Sequence, residues 1–237
     1  MTSLTDQTVL VTGANRGIGQ EFVRQLLDRD AAKVYAAARD PDAIALTDPR
    51  MHPLQLDVTD AGSVTRAAEI ACDVGIVVNN AGISLVSPIL DDDNSALRQE
   101  LEVNFFGPLA VTTAFVDGVV ERLGAVVNIA SVMSWVALGG SYSASKAALW
   151  SATDSMRVEL APRGVQVVGV YMGYVDTDMT AGVEAPKTSV EDVVRLVLDG
   201  VESGVSEVLV DDAARQVRAG LHLPVRERYE AIVAAIS

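Results

Sequence analysis

Two side chains that could move a proton, Tyr142 and Lys146, lie four residues apart in the segment "GGSYSASKAAL". Residues four apart share one face of a helix, so a helix here would bring the phenol beside the ammonium. A free tyrosine has a pKa of about 10, and lowering it to about 7 would take roughly 4 kcal/mol. A nearby ammonium favours the phenolate and could contribute to that energy in a dry cleft. We therefore predict that Tyr142 is a general acid/base and that Lys146 lowers its pKa.

Hydride addition to a carbonyl leaves an alkoxide, and two further polar residues could act on such a group. Ser131 directly follows the apolar run "VVNIA" and could donate a hydrogen bond to an oxygen on which negative charge develops. Ser134, three residues later, is the alternative donor. Asn104 lies within a predicted helix, where its side chain competes for backbone hydrogen bonds. We expect a local distortion there that exposes a carbonyl to a water molecule, which would relay protons through Lys146.

Glycines cluster in "TGANRGIG", between a predicted strand and a predicted helix. Gly13 permits a tight turn, while Gly17 and Gly19 let the backbone approach a pyrophosphate and let the helix pack on the sheet. The helix N-terminus offers unpaired N–H groups and a partial positive charge to the phosphates. The first two glycines are two residues further apart than in the common GxGxxG pattern, but the strand-turn-helix context predicts a dinucleotide site.

The residues at the end of the second predicted strand, "AAARD", indicate which dinucleotide binds. NAD sites usually have an acid here for the ribose hydroxyls, whereas NADP sites tend to have arginine for the 2'-phosphate. Ala38 occupies the position expected for the acid, Arg39 follows it, and Arg16 in the glycine turn could reach the same ribose. These residues favour NADP(H) over NAD(H), although a shift of one residue would make Asp40 the ribose acid. Asp57, after the third strand, could bind the adenine edge or cap the next helix.

Short β-branched runs alternate with longer amphipathic runs along the chain, which predicts a parallel sheet covered by helices on both faces. In such sheets ligands bind at the carboxyl ends of the strands. The segments "VTGANRGIG", "RD", "DVTD", "NNAG", "IAS" and "MGYVDTDM" each follow a predicted strand, so the polar candidates gather at one edge. We predict one long helix over 95–122 and another over 142–160. The fold class is therefore α/β, with a doubly wound parallel β-sheet.

The bulk composition restricts the class of protein. The chain has 237 residues, of which 49% are hydrophobic and 21% charged, and this suits one globular domain over 1–237. Its net charge of -14 argues against nucleic acid or an anionic membrane as the main partner. No apolar run approaches the roughly 18 residues of a membrane span. Cys72 is the single cysteine, so no internal disulfide can form, which fits a cytoplasmic protein. We predict that Cys72 is buried. His52 and His222 are isolated from each other, and they suggest no metal site.

The motifs "TGANRGIG", "NNAG", "IAS" and "YSASK" occur in this order at spacings that resemble the short-chain dehydrogenase/reductase family over essentially the whole chain. The resemblance implies a single-domain Rossmann-like fold, a homodimer or homotetramer, and a catalytic set of Asn104, Ser131, Tyr142 and Lys146. It also assigns Asn79 to the cofactor-side loop. The predicted cofactor-binding residues are Gly13, Asn15, Arg16, Gly17, Ile18, Gly19, Arg39, Asp57, Val58, Asn80, Ala81, Gly82, Tyr142, Lys146, Val175 and Thr177.

Three segments depart from the family pattern. Met172 stands where the family usually has proline before a glycine, and it could face the nicotinamide or the substrate. The second helix is truncated in "PDAIALTDPRM", and the substrate lid at about 180–190 is short. A short lid implies an open pocket and favours bulky or hydrophobic carbonyl substrates. Candidate apolar surface is provided by Trp135, Val136, Leu138 and Trp150.

These observations favour an NADP(H)-dependent carbonyl reductase or alcohol dehydrogenase that acts on a small molecule. Two other functions compete with it. A 3-oxoacyl carrier-protein reductase would need a basic patch at the mouth of the site for its acidic carrier, and the net charge of -14 weighs against that. A non-catalytic NADP-binding sensor would not need Tyr142 and Lys146 together.

Overall fold

A computed structural model of the chain describes residues 2–45 and 47–236. Its strands are Thr8–Thr12 (β1), Lys33–Ala38 (β2), Met51–Gln55 (β3), Ile76–Asn79 (β4), Ala125–Ile129 (β5), Gln166–Tyr171 (β6) and Glu207–Leu209 (β7). They form one parallel sheet in the order β3-β2-β1-β4-β5-β6-β7. The α/β prediction with a doubly wound parallel sheet is therefore confirmed.

Helices cover both faces of this sheet. In chain order they are Gly17–Asp28 (α1), Ala61–Ile70 (α2), Ser95–Leu101 (α3), Gly107–Glu121 (α4), Ser141–Leu160 (α5), Val190–Ser203 (α6), Asp212–Ala219 (α7) and Val225–Ile236 (α8). The helices α1 and α6 pack together on one face, with Phe22 and Val197 in its core. The helices α2, α4 and α5 cover the other face through Val64, Phe115 and Met156.

Strand β1 illustrates why the strands are apolar along their whole length. Side chains alternate across a strand, so Val9 and Val11 point to the face covered by α1 and α6, while Leu10 points to the other face. All three are fully buried. A strand that is buried on both faces needs an unbroken apolar run, as parallel sheets between two helix layers require.

The strand order reverses between β1 and β4, which are neighbours in the sheet although β2 and β3 separate them in the chain. Thr12, the last residue of β1, accepts hydrogen bonds at Oγ1 from the N–H groups of Asn80 and Ala81, at 3.0 Å each. These bonds join the two loops that leave β1 and β4. A ligand crevice forms at such a switch point, and both loops carry predicted cofactor residues.

The predicted long helix over 95–122 is broken into three pieces. A π-helical segment, Glu102–Phe106, separates α3 from α4 and contains Asn104. The distortion expected at this residue is thus present, and single π turns of this kind are frequent at functional sites. The truncated second helix is present only as the short 3-10 turn Pro41–Ala43.

The helical run Ser95–Glu121 is long and apolar enough to cross a membrane by length and composition, with a mean hydropathy of 1.4. By this measure the prediction that no run comes close to a membrane span is wrong. Of the apolar window, 39% is buried, and the run packs against α2 and α5. The core helix of a globular fold passes the same test of length and composition.

Cys72 is exposed, contrary to the prediction that it is buried. Helix α2 ends at Ile70, and the C-cap residue Ala71 takes the core position instead. The chain turns there before it enters β4, so the cysteine lies on the outside of the turn.

Candidate active site

The loop between β1 and α1 forms a cradle that depends on glycine. Gly13 and Gly17 have φ of 66° and 52°, in the left-handed region that residues with a Cβ rarely adopt. A Cβ on Gly19 would lie 2.2 Å from the Gly13 carbonyl oxygen. Helix α1 begins at Gly17, and the side chain of its N-cap residue, Arg16, does not cap the first N–H groups. Uncapped N–H groups at a helix N-terminus suit a pyrophosphate, so the cradle fits a dinucleotide.

The loop after β4 holds the glycine turn in place. Asn80 donates from Nδ2 to the Thr12 carbonyl oxygen at 2.9 Å. Asn79, which the family motif assigns to the cofactor side, is instead buried and donates to Thr112 Oγ1 and Asn128 Oδ1. It is the last residue of β4, where the strand directs its side chain towards α4, so it does not face the groove. The sequence analysis did not identify Thr12 as a residue that joins the two loops. The feature that could have indicated it was a hydroxyl at the end of an otherwise apolar strand, β1.

The residues expected at the adenine ribose lie just after β2 and β3. Asp40, the alternative ribose acid, accepts a hydrogen bond from the Asp42 N–H at 3.1 Å and caps the following 3-10 turn. Asp57 accepts from the N–H and the hydroxyl of Thr59, and these bonds lower its pKa, as does the positive charge of Arg39 to a smaller extent. Both acids are therefore engaged locally. The exposed Arg39 is left as the better group to meet the ribose.

Arg16 lies at the mouth of the glycine turn. Its guanidinium pairs with Asp178 at 3.3 Å, and 73% and 80% of the two side chains are exposed. Ion pairs this exposed contribute little to stability, so a phosphate could displace Asp178. Thr177 faces Gly17 across the groove, where a Cβ on the glycine would contact its methyl group at 3.4 Å. Val175 is buried in the core, so only its backbone can meet a cofactor.

The remaining predicted cofactor residues lie between these groups. Asn15 is half-buried in the glycine turn. Ile18 and Val58 are partly buried against the cores of the two sheet faces. Ala81 and Gly82 continue the loop after β4. A Cβ on Gly82 would lie 3.2 Å from Oδ1 of Asn104, a member of the predicted catalytic set. These residues therefore join the glycine turn to the predicted catalytic set.

The proton-transfer pair lies at the start of α5. Lys146 is buried, and its Nζ donates to the Ile129 carbonyl oxygen at 2.8 Å. The same Nζ lies 5.7 Å from the centre of the Tyr142 ring, so the helix brings the two side chains together. The Ser131 side chain lies close enough to the Tyr142 phenol to favour the phenolate and lower the pKa of Tyr142. The Ser134 hydroxyl is buried with no hydrogen-bond partner within the described part of the chain. The structure thus places Ser131, and not Ser134, at the phenol.

Burial changes the pKa values of both members of the pair. It raises the pKa of Tyr142 to about 12 against the opposing effect of Ser131, and the Glu100 carboxylate adds to the rise. Burial lowers the pKa of Lys146 to about 8, and the same carboxylate opposes that shift. The predicted lowering of the Tyr142 pKa is therefore absent in the protein alone, because burial disfavours the phenolate. The phenol is protonated at neutral pH and can act as a general acid.

Asn104 and Glu100 tie the loop after β4 to the helices beside the pair. The Oδ1 of Asn104 accepts from the Ile83 N–H at 2.9 Å, and its Nδ2 donates to the Ser145 hydroxyl at 3.0 Å. Ser145 in turn donates to the Tyr142 carbonyl oxygen. Glu100, which sequence reasoning missed, is as fully buried as Asn104. Glu100 lies four residues before Asn104, and residues at this spacing share one helix face. This spacing could have indicated from the sequence that Glu100 also faces the site.

The substrate side differs from the expectation at Met172 and Trp135. Met172 is buried in the core below α1 and α6, because Tyr171 points to the other face and strand alternation turns the next side chain away. Trp135 is also buried, stacked on Tyr171 with ring centres 4.1 Å apart, and Trp150 packs edge-on against it. Neither Met172 nor Trp135 faces an open pocket. Of the predicted apolar set, Leu138 is the residue that is strongly exposed.

Apolar side chains are exposed in the loops after β4, β5 and β6, at the edge of the sheet where the proton-transfer pair lies. We name this set the apolar rim. A backbone bridge between Val175 and Thr188 closes the short segment predicted to be the lid. The rim is formed by Leu85, Val86, Ile89 and Leu90 after β4, Leu138 after β5, and Tyr174 and Met179 after β6.

The sequence is similar to those of known dehydrogenases and reductases. A sequence model of the short chain dehydrogenase family matches residues 7–188. The chain is 37% identical over 183 residues to the short-chain dehydrogenase PC-15 of Penicillium crustosum, across 72% of this chain and 66% of that protein. It is 33% identical over 181 residues to the NADPH-dependent 1-acyldihydroxyacetone phosphate reductase of Schizosaccharomyces pombe, across 73% of this chain and 61% of that protein. The aligned part thus spans just under two thirds of these curated relatives.

The fold is similar to a solved structure over nearly its whole length. A short chain dehydrogenase from Burkholderia cenocepacia J2315, in complex with NADP, matches with a TM-score of 0.92 and 37% sequence identity. The match covers 98% of both chains. It therefore extends past residue 188, where the match to the family model ends, and includes the last helices and strand.

Proposed function

The chain belongs to the short-chain dehydrogenase family, and we propose that it reduces a ketone or aldehyde to an alcohol, or catalyses the reverse reaction, with NADP(H). The observation that carries the proposal is the gathering of the glycine cradle, Ser131, Tyr142 and Lys146 at one edge of the sheet. The cofactor is supported by the NADP complex of the Burkholderia relative and by the NADPH dependence named for the Schizosaccharomyces pombe relative.

The dinucleotide would lie along the groove between the loops after β1, β2 and β6. Gly13, Gly17 and Gly19 let its pyrophosphate reach the N-terminus of α1. Arg39 and Arg16 would hold the 2'-phosphate by charge-assisted hydrogen bonds. When bound, the nicotinamide supplies or accepts the hydride that is exchanged with the carbonyl carbon.

Three side chains would act on the carbonyl oxygen. Ser131 donates a hydrogen bond to it as negative charge develops. Tyr142 keeps its proton at neutral pH, because its pKa is about 12, and gives it to the forming alkoxide. Lys146, held by the Ile129 carbonyl oxygen, stabilises the phenolate that remains. Asn104 would position this set through its side-chain hydrogen bonds and would not touch the substrate.

The apolar rim supports a bulky or hydrophobic carbonyl substrate. Leu90 is 91% exposed and Leu138 50% exposed, although both side chains are apolar. Apolar groups gathered around a polar site are typical of ligand-binding surfaces. The name of the Schizosaccharomyces pombe relative includes an acyl group on its substrate. We propose that ketones with an aromatic or long aliphatic group are preferred to small polar ones.

Three further expectations stay predictions from the sequence. They are a single NAD(P)-binding domain over 1–237, a cytoplasmic location, and a homodimer or homotetramer. The one sheet and the helices on both of its faces are consistent with the first of them.

The test of the function is NADPH consumption with a panel of carbonyl compounds graded in size and polarity. We expect turnover of at least some aldehydes or ketones, with kcat/KM rising as the apolar group grows, because the rim contributes more contact area. Alanine at Leu90 should flatten this trend, whereas alanine at Ile70, an exposed apolar residue on α2, should not. NADPH binding without turnover of any carbonyl would favour a sensor over an enzyme.

The cofactor preference can be tested with Arg39→Asp. We expect NADPH affinity to fall by about tenfold to a hundredfold, because each hydrogen bond to a charged group contributes about 1.5–3 kcal/mol. NADH affinity should change less, since NADH has no 2'-phosphate. Fluorescence titration of both cofactors measures the two dissociation constants.

The matched control for this variant is Arg66→Asp, which makes the same change of charge on the exposed surface of α2. It should leave both affinities unchanged. Equal affinity of the wild-type protein for NADPH and NADH would contradict the assignment of Arg39 and return Asp40 as the ribose ligand.

A further inference from the structure

Glu100 is a buried carboxylate that the proposed proton transfer does not use. It lies in α3 and is 0% exposed. Its Oε1 accepts hydrogen bonds from the N–H groups of Leu85 at 2.6 Å and Val86 at 3.3 Å. Its Oε2 is buried with no hydrogen-bond partner among the described residues. A buried carboxylate is costly unless something compensates its charge, so its presence needs an explanation.

The two bonds to Oε1 hold a strained loop. Val86 has φ of 53°, and a β-branched residue in the left-handed region is a backbone outlier that persists only where its surroundings hold it. The next residue, Ser87, is fixed from the other side. Its N–H donates to Ser141 Oγ at 3.1 Å, and its carbonyl oxygen accepts from the Ser141 N–H at 2.9 Å. The hydrogen bonds of this loop therefore connect the Glu100 carboxylate to the first turn of α5, the helix that carries the proton-transfer pair.

Helix α3, which carries Glu100, packs against α5, so its charge also acts on that pair. The carboxylate raises the pKa of both Tyr142 and Lys146, although neither side chain hydrogen bonds to it. Charges removed from water interact over several ångströms, because the protein interior screens them poorly. These two are the titratable groups that face Glu100 from α5, and the loop it holds carries none. On its own helical run, Arg98 and Glu102 are exposed to solvent.

We propose that Glu100 is a positioning residue for the reaction, which holds the loop Leu85–Ser87 against the first turn of α5 and places a buried negative charge on the helix that packs beside Lys146. The inference rests on the proposed role of Tyr142 and Lys146 in proton transfer. Lys146 must be charged to stabilise a phenolate, but burial works against an ammonium. A carboxylate that does not touch the ammonium compensates part of this cost. It also leaves Nζ bound to the Ile129 carbonyl oxygen.

The charge can be separated from the loop contacts with Glu100→Gln. Glutamine keeps a side-chain oxygen that can accept the two loop N–H groups, but it carries no charge. The lysines of the chain are Lys33, Lys146 and Lys187, so an NMR titration of protein labelled with 13C at lysine Cε resolves few signals. Lys146→Met identifies the signal of Lys146. We expect its titration midpoint to fall by about half a pH unit or more in Glu100→Gln, because loss of a nearby negative charge disfavours the ammonium.

Glu102→Gln is the matched control, since it removes the same charge from an exposed position two residues along. It should leave the Lys146 midpoint unchanged. A role limited to packing would alter KM or the thermal midpoint and would leave the Lys146 midpoint unchanged.

Coincident Lys146 midpoints in the wild type and Glu100→Gln would overturn the inference, whether or not a carbonyl is reduced. A shifted midpoint in a protein that reduces no carbonyl would instead overturn the proposed function. If Glu100→Gln does not fold, Glu100→Asp and Glu100→Asn form a second pair that differ in charge at equal size. The Lys146 midpoint should then be lower in the asparagine variant, and equal midpoints would count against Glu100.

Discussion

Replacing Tyr142 with phenylalanine is expected to reduce kcat by about 10²–10⁴-fold, the usual range for loss of a general acid/base. The phenol is the group placed to give its proton to the alkoxide, and the Ser131 hydroxyl beside it can stabilise that charge but holds its own proton tightly. Phenylalanine preserves the ring that lies near Lys146. NADPH affinity should therefore be retained while turnover is lost.

The control for this variant is Tyr171→Phe. Tyr171 is a fully buried tyrosine whose hydroxyl has no hydrogen-bond partner in the described ranges, 2–45 and 47–236. Removing that hydroxyl leaves no group unsatisfied, so we expect unchanged turnover and equal or higher stability. NADPH absorbance measures turnover and thermal unfolding measures stability for both variants. Turnover near the wild-type rate in Tyr142→Phe would mean that another group delivers the proton, and Ser131 would be the next residue to replace.

The features that could be predicted from the sequence depend on spacing within a short segment. Tyr142 and Lys146 meet because one helical turn separates them, whatever packs against the helix. The glycine turn follows from the same kind of local constraint, since φ at Gly13 and Gly17 excludes most other residues. The break at Asn104 could also be predicted, because an asparagine is a poor residue for a helix interior. Each of these inferences needs only the residues themselves and their immediate neighbours.

The errors concern residues whose surroundings come from distant parts of the chain. Met172 faces the core and not the pocket, because the register of β6 in the sheet decides which way each side chain points. Trp135 is buried by Tyr171, more than thirty residues away in the chain. Cys72 is exposed because its helix ends two residues earlier than an unbroken apolar pattern would suggest. None of these contacts leaves a periodic trace in the sequence.

The electrostatics of the site were the least predictable feature. Proximity to an ammonium suggested a lowered pKa for Tyr142, but burial has the larger effect and raises it. The same burial lowers the pKa of Lys146, so the pair cannot be understood from its two members alone. The compensating carboxylate, Glu100, lies more than forty residues earlier in the chain and on another helix. The direction of both shifts follows from burial, and Glu100 modifies the two pKa values from α3, which packs against α5.

Replacing Gly19 with alanine is expected to weaken NADPH binding by about 100-fold or more, which corresponds to about 2.8 kcal/mol. The added Cβ would lie 2.2 Å from the Gly13 carbonyl oxygen and 2.6 Å from Asn80 Nδ2. The first of these is a backbone atom that cannot move without opening the turn. An opened turn would carry the N–H groups of α1 away from the pyrophosphate, and it would also break the Asn80 bond to the Thr12 carbonyl oxygen.

Gly220→Ala is the control for Gly19→Ala, because among the described residues a Cβ at Gly220 would meet Leu223 Cδ1 alone, at an ordinary 3.9 Å. It should bind NADPH as the wild type does. Fluorescence titration gives both affinities, and circular dichroism with thermal unfolding separates a damaged turn from an unfolded protein. The test is decisive if Gly19→Ala folds. Weak NADPH binding by the folded variant would assign the cradle to the cofactor. Wild-type affinity in that variant would mean that the pyrophosphate lies elsewhere, and that the close packing of Gly19 on Gly13 serves only to seat α1 on the sheet.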